Sequence, residues 1–322
     1  MSAQKHLIST DYYHQLKKQL LSFHVLIPFI HFSSELEREL TRKNVKVYFK
    51  SDKIFLIEPV STQIIWAQDH WKNCLSSEYT VDLYHQLKNF STIGYYHPTF
   101  RHKHIENKLS KLKKIPQKRI TFNPNKKFNF KYYIWTIIDD LIIYSDQPSA
   151  RYPAGWNEFE EDKIHPPNRA YLKLWEAIMI HDLKFDSKQI ALEIGASPGG
   201  WSWVLSQCFD KVYTFDRAPL ADKIEQIKNI KHSLGDAFKL NPLDYKDTSW
   251  FFSDLICTPE KIYEVIQEWL AISPDKNFMC TIKFKGDCDF EIIEKLLNIE
   301  HSKIVRLYQN KNEVTWIRQV KI

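Results

Sequence analysis

Glycine is scarce in this chain. There are seven in 322 residues, where ordinary usage is about 7%. A sequence so sparing with glycine keeps it where a side chain would obstruct. Cysteine is also thin: Cys74, Cys208, Cys257, Cys280 and Cys288 are odd in number, and no two have CxxC spacing. That argues against a zinc site or a disulfide framework and leads to the expectation of no metal and a reducing cytoplasm. Long apolar runs are missing too. The best candidate, Leu20 to Phe32, is broken by His24, Pro28 and His31, and falls short of the roughly 20 apolar residues that a membrane span needs. The opening residues, MSAQKHLIST, contain no apolar segment of the kind that marks a secretory signal. A cytoplasmic monomer with no membrane partner is therefore expected. There is neither an internal repeat nor a low-complexity tract.

The totals describe an ordinary globular protein, 43% hydrophobic and 26% charged, with length enough for two domains. The net charge of +6 is unevenly spread. From Arg101 to Lys131 there are eleven Lys/Arg against one acid, Glu106. This excess is larger than that of the whole chain, so the remainder is net acidic. Basicity confined to one segment points to a patch facing a polyanion, although a solvated loop would read the same way. Phe122, Phe128 and Phe130 lie in or beside it and could stack on bases or fill a core.

Residues 1–150 read as a first, α+β unit. Tyr12 to Leu21 and Val81 to Phe90 have helical spacing. Val45 to Tyr48, Ile54 to Ile57 and Thr62 to Trp66 look like short strands, and Tyr132 to Tyr144 like a hairpin around Asp139-Asp140. Lys108 to Lys114 is too charged to bury. Residues 151–167, rich in proline and acid, read as a surface linker. From Asn168 onward the pattern changes. Asn168 caps a helix over Arg169 to His181. Strands at 190–194, 211–215, 230–233, 250–253 and 278–282 then alternate with helices near 220–227, 259–271 and 290–297. The chain closes on two strands, 303–308 and 313–319, joined by Gln309 to Asn312. This predicts an α/β doubly wound sheet of seven strands whose last pair is antiparallel.

Three of the glycines fall in one turn, Glu193 to Trp201, EIGASPGGW. It follows an apolar strand and opens a helix, the place where backbone approaches a ligand. No Lys-Ser/Thr follows Gly195, Gly199 and Gly200, so this is not a P-loop, and the spacing is not GxGxxG. Asp216 ends the next strand and Asp236 the one after. Carboxylates after successive strands suit ribose hydroxyls. Together they suggest an adenosine-bearing cofactor without a polyphosphate, for which S-adenosylmethionine is the natural candidate.

Ligands of open α/β sheets bind beyond the carboxyl ends of the strands. Asp254 and Lys283 end strands of buried type, Glu313 opens the last strand, and Lys173 is polar within an apolar helix. Flanked by Ile282 and Phe284, Lys283 is expected to be partly desolvated, which favours a neutral amine able to act as a base. Each residue also has a plainer role: Asp254 as a helix cap, Lys283 or Lys285 reaching to water, Glu313 and Lys173 as surface charges, Asp236 holding a turn.

NRAYLKLWEA, LEIGASPGGWSW, VYTFDRAPL, SWFFSDL, TIKFKG and LYQNKNEVTWI resemble, in order, the FtsJ-like ribose 2′-O-methyltransferases. They resemble most the RlmM-type branch, which acts on a cytidine of large-subunit ribosomal RNA. The resemblance runs from about Pro153 to the end. It implies a Rossmann-like S-adenosylmethionine-dependent domain over 168–322 and a catalytic tetrad of Lys173, Asp254, Lys283 and Glu313, with Lys283 taking the proton of the ribose 2′-hydroxyl. It implies cofactor contacts at Asn168, Gly195, Ser197, Pro198, Gly199, Gly200, Asp216, Asp236 and Asp254, with Trp201 beside the methionine portion. Glu193 stands where the family usually has Asp, and Asn168 where it usually has Ser. More loosely, Tyr132 to Gly155 resembles the last strands of a THUMP-like RNA-binding domain. RNA, and ribosomal RNA in particular, is the partner this implies. The alternatives are a non-catalytic RNA-binding or assembly factor, or a methyltransferase for small molecules or proteins.

Overall fold

The computed structural model describes residues 8–90, 93–95, 103–115, 118–126 and 131–320, and every structural statement below refers to these. The chain divides into two compact units, one of residues 1–119 and 127–158, the other of 120–126 and 159–322.

The first unit holds two sheets. One has the strand order Val47–Lys50, Phe55–Ile57, His24–Pro28, Ala67–Lys72, Gln147–Pro148, with every neighbouring pair antiparallel. The other has the order Leu75–Ser77, Leu141–Ser145, Tyr133–Ile138, Ile93–Tyr95. The expected hairpin at 139–140 is present, with Ile138 paired to Leu141.

Several expectations for this unit need correction. The apolar stretch Leu20 to Phe32, judged too short and polar to span a membrane and assigned no strand from the sequence, contains His24–Pro28, a wholly buried strand inside the sheet. Residues 62–66 are not a strand. The carboxylate of Glu39, 1% exposed, accepts from Ile65 and Trp66 N–H at 3.0 Å each, so a side chain takes the donors that a neighbouring strand would have used. Within Lys108 to Lys114, judged too charged to bury, Leu109 and Leu112 are buried, and Leu109 ends a helix, Lys103–Leu109. The lysines of that stretch, Lys108, Lys111, Lys113 and Lys114, are exposed. The proline-rich 151–167 stretch is not a free surface tether: Pro153, Ala154 and Gly155 are buried, and Phe159 is 1% exposed. Arg101, Lys127, Phe128 and Phe130 lie outside the described residues.

In the second unit the strands are β1 (Ile190–Ile194), β2 (Lys211–Asp216), β3 (Ile230–Leu234), β4 (Trp250–Ser253), β5 (Asn277–Lys283), β6 (Ser302–Val305) and β7 (Glu313–Arg318). They form one seven-stranded sheet of order β3-β2-β1-β4-β5-β7-β6. Five strands run parallel, and β7 is antiparallel to both β5 and β6. The helices are α1 (Tyr171–Met179), α2 (Gly200–Leu205), α3 (Asp222–Glu225), α4 (Pro259–Ile272) and α5 (Phe290–Leu297). β4 is buried along its whole length, as expected of a central parallel strand covered on both faces. Strand order reverses between β1 and β4, which opens a crevice beyond their carboxyl ends. No described helix is long and apolar enough to cross a membrane.

Candidate active site

The turn after β1 is held to the end of β2: Gly195 and Ala196 N–H both donate to Phe215 C=O, at 2.8 and 3.2 Å. Gly195 and Gly199 have positive φ, 74° and 108°. Gly200 is glycine for want of space, since a Cβ there would stand 2.1 Å from Asn168 Oδ1. Asn168 accepts from Ala170 N–H at 3.0 Å as the chain enters α1, and so packs the start of α1 against the start of α2.

Beyond these strand ends lies a cleft of 280 Å³, bordered by Gly195, Asp216, Asp236, Phe238, Asp254 and Ile256 among others. Its size is near the lower end of the roughly 300–1,000 Å³ of ligand pockets. Both oxygens of Asp216 are engaged, accepting from Ser197 N–H and Ala218 N–H at 3.0 Å each. Asp236 caps the short turn after β3 through Phe238 N–H at 3.1 Å and pairs with Arg217 at 2.8 Å. These bonds hold the Asp236 carboxyl below its ordinary range. Each acid still has lone pairs facing the cleft. Ser197 and Asp254 are also on its wall, whereas Asn168, Pro198, Gly199 and Gly200 shape the turn behind it.

Trp201, expected beside the methionine portion of the cofactor, is not among the residues bordering this cleft. It is 2% exposed, donates its ring N–H to Ala170 C=O at 2.9 Å and meets Phe252 edge-on. The indole belongs to the core. Phe122, suggested for base stacking, lies flat on Trp175 with ring centres 4.5 Å apart, so one of its faces is already covered.

Next to the cleft, four charged residues from separate elements converge. Lys173 comes from α1, Asp254 follows β4, Lys283 ends β5 and Glu313 begins β7. Lys173 Nζ lies 3.1 Å from each oxygen of Asp254 and 2.7 Å from Glu313 Oε1. Lys283 Nζ lies 2.9 Å from Asp254 Oδ1, donates to the Asp254 carbonyl at 2.8 Å and stands 4.0 Å from Glu313 Oε2. Burial works against the charge of Lys173, but the Asp254 and Glu313 carboxylates outweigh it and hold the amine above its ordinary range. Burial likewise opposes ionisation of Asp254, and the two ammonium groups overcome it, holding the carboxyl below the usual value. Lys283 is the more open amine, 22% exposed against 10% for Lys173. Its Nζ is ringed by oxygens rather than by Ile282 and Phe284, which corrects the expectation of an apolar sleeve. Lys285 is exposed; Lys283 is the lysine in the cluster.

Some residues of the site went unnoticed in the sequence. Asn310, 6% exposed, donates to Glu313 Oε1 at 3.0 Å and accepts from Leu307 N–H at 2.6 Å. Its placement in the link before β7 was the available signal. Arg217, Phe238, Leu255 and Ile256 border the cleft, and nothing in their spacing announced it.

Residues 166–306 match the FtsJ-like methyltransferase family. The matched stretch lies within the second unit. Ribosomal RNA large subunit methyltransferase M of Azoarcus sp. (strain BH72) is 28% identical to this chain, over 46% of the chain and 45% of that protein. Its counterpart in Vibrio vulnificus (strain YJ016) is 29% identical over 46% of each. The chain thus spans about half the length of the curated relatives it matches. Among solved structures, the Methanococcus jannaschii fibrillarin pre-rRNA processing protein is 20% identical with a TM-score of 0.37, over 61% of this chain and 85% of that one.

FtsJ-like methyltransferase domains use S-adenosylmethionine, and the donor set fits it. The cleft wall offers three carboxylates, Asp216, Asp236 and Asp254, and one guanidinium, Arg217, already paired to an acid. That balance suits a cationic ligand carrying ribose hydroxyls and disfavours a polyphosphate. Phe238, Leu255 and Ile256 supply apolar surface for a flat ring.

Proposed function

We propose that this chain transfers the methyl group of S-adenosylmethionine to a ribose 2′-oxygen of RNA, at a cytidine of large-subunit ribosomal RNA. The observation that carries this reading is the Lys173–Asp254–Lys283–Glu313 cluster, drawn together at the strand ends beside the glycine turn. Bound in the cleft, S-adenosylmethionine supplies an electrophilic methyl group on a positively charged sulfur. Asp216, Asp236 and Asp254 would hold it. Lys283 accepts the 2′-hydroxyl proton at Nζ as the oxygen becomes nucleophilic. Asp254 fixes that amine through both its side chain and its carbonyl. Lys173, kept charged by the two carboxylates, is held in place beside the Lys283 amine. Glu313 holds Lys173 and leaves room at Lys283 for the sugar. Positioning does most of the rest.

In this reading residues 1–150 form a THUMP-like RNA-binding region, 151–167 a connection and 168–322 the catalytic domain. The basic segment from Arg101 to Lys131 provides cations for RNA phosphates.

The test is radiolabelled methyl transfer to RNA, with calorimetry for S-adenosylhomocysteine. Lys283→Ala is expected to lower the rate by about 10²–10³-fold, within the range for a general base, while still binding the cofactor product. An undiminished rate sinks Lys283 as the base. Cofactor binding by the wild type with no transfer to any RNA would favour the assembly-factor reading. Mapping ribose methylation in cells lacking the protein identifies the nucleotide.

A further inference from the structure

The two turns that bring Lys283 and Glu313 into the cluster are stapled to each other. Phe284 N–H donates to Asn312 C=O at 3.0 Å. The Asn312 side-chain amide donates back to the carbonyls of Phe284 and Gly286, at 3.1 and 2.6 Å. From the other side Arg306, 6% exposed, donates to the carbonyls of Asn310 and Lys311 at 3.0 and 2.8 Å. Gly286 has a φ of +117°, and a Cβ there would meet nothing within 4 Å. The backbone conformation, not crowding, calls for glycine, and this turn stands in open solvent.

Each turn presents one exposed lysine. Lys285 lies two positions beyond Lys283, and Lys311 two positions before Glu313, a separation of at most about 7 Å of extended chain. Among the described residues neither amine has an ion-pair partner. They differ in this from Lys173 and Lys283, which are engaged by Asp254 and Glu313. The site has a matching need. Two lysines and two carboxylates give the cluster no excess of positive charge, and the neighbouring cleft wall is acidic. A polyanion approaching it is repelled unless cations stand at the rim.

We propose that Lys285 and Lys311 grip the RNA phosphates flanking the ribose that is presented to Lys283; this rests on the function proposed above. The staple makes the grip efficient, because the turns are ordered before RNA arrives and only the lysine stems lose freedom on binding. The recognised chemistry is the phosphodiester backbone, so the contribution is independent of base sequence. It sets where the strand lies, and the tetrad acts on the sugar delivered there.

The test uses the full chain and transcribed large-subunit ribosomal RNA. Lys285→Ala/Lys311→Ala is compared with wild type in methyl transfer, in filter binding across a salt series and in calorimetry with S-adenosylhomocysteine. KM for RNA is expected to rise on the order of tenfold and the salt slope of binding to shrink by about 1.4, for two lost phosphate contacts on a single strand. Affinity for S-adenosylhomocysteine stays within twofold, which also reports that the fold is intact. Lys285→Arg/Lys311→Arg restores KM and slope. An unchanged KM and unchanged slope in the alanine variant overturn the proposal and make both lysines solvated charges. Should the wild type methylate no RNA, the enzymatic reading fails, and the salt slopes from filter binding still decide this one.

Discussion

Lys283 and Glu313 stand opposite each other in the antiparallel ladder between β5 and β7, and their charged ends come within 4.0 Å. The pairing of the one reversed strand therefore sets this half of the cluster. A register slip of one residue would turn Glu313 to the opposite face of the sheet.

Glu313→Gln preserves shape and the acceptor for Asn310 while removing one of two carboxylates. Lys173 then keeps Asp254 alone as its counter-charge. Methyl transfer is expected to fall about 10–100-fold, less than on losing the base itself. Stability should drop by about 1–3 kcal/mol, less than for the outright loss of a buried partner. Single-turnover rates and urea midpoints check the two separately.

Asp254→Asn removes the group shared by both amines. Two ammonium groups would stay behind with only Glu313, at a cost of about 3–5 kcal/mol at neutral pH. Because the folded carboxyl is held below its ordinary 3.8, its contribution is present above that pH and is lost as pH falls through the folded value. Wild type and variant should differ most near pH 7 and least at the most acidic pH, below 3.8, at which the protein stays folded. Urea unfolding at both pH values measures this.

Glu193 shows the opposite sign. It is 1% exposed near the carboxyl end of β1, where it accepts from Ser202 at 2.5 Å. Burial pushes its carboxyl from 4.5 up to about 8, against the pull of the Ser202 hydrogen bond and with help from Asp254 and Asp216. Between those values the unfolded chain has released the proton and the folded chain keeps it. Stability thus falls as pH rises from about 4.5 to about 8, by a few kcal/mol at most. Glu193→Gln has no proton to lose and should flatten this slope, gaining most on wild type at pH 8. Equal midpoint differences at pH 5 and pH 8 would refute it.

Gly200→Ala tests the packing behind the cofactor turn. The new methyl group would meet Asn168 Oδ1 at 2.1 Å, so the start of α1 or the turn must shift. S-adenosylhomocysteine affinity should weaken by about tenfold or more, with a stability loss of about 1–3 kcal/mol. Gly200→Ala/Asn168→Ala should recover part of both, which isothermal titration and thermal unfolding can follow.

The second unit was legible because its sequence is locally consistent. Apolar runs ending in Asp216, Asp254 and Lys283 match parallel strands covered on both faces, and the glycine turn marks where they begin to bind. What stayed hidden depends on partners distant in sequence. Nothing near Thr62 announces that Glu39 will take the N–H groups of Ile65 and Trp66, and nothing in Trp201 separates a core indole from one lining a cleft. The surroundings of Lys283 were misjudged for a related reason. Chain neighbours on a strand point to the opposite faces, so Ile282 and Phe284 say little about what the amine touches. The first unit was harder still, since its strands are short and several pair with strands distant in sequence.

Residues 120–126 group with the second unit although the chain around them groups with the first. Ile120 bridges to Phe159, Thr121 bonds Glu160 at 2.8 Å, and Phe122 covers Trp175. No single cut can release the C-terminal half intact. A fragment starting at Phe159 would lose a strip of its own wall, uncover tryptophan and invite self-association, so excision of the catalytic half requires grafting that heptapeptide back.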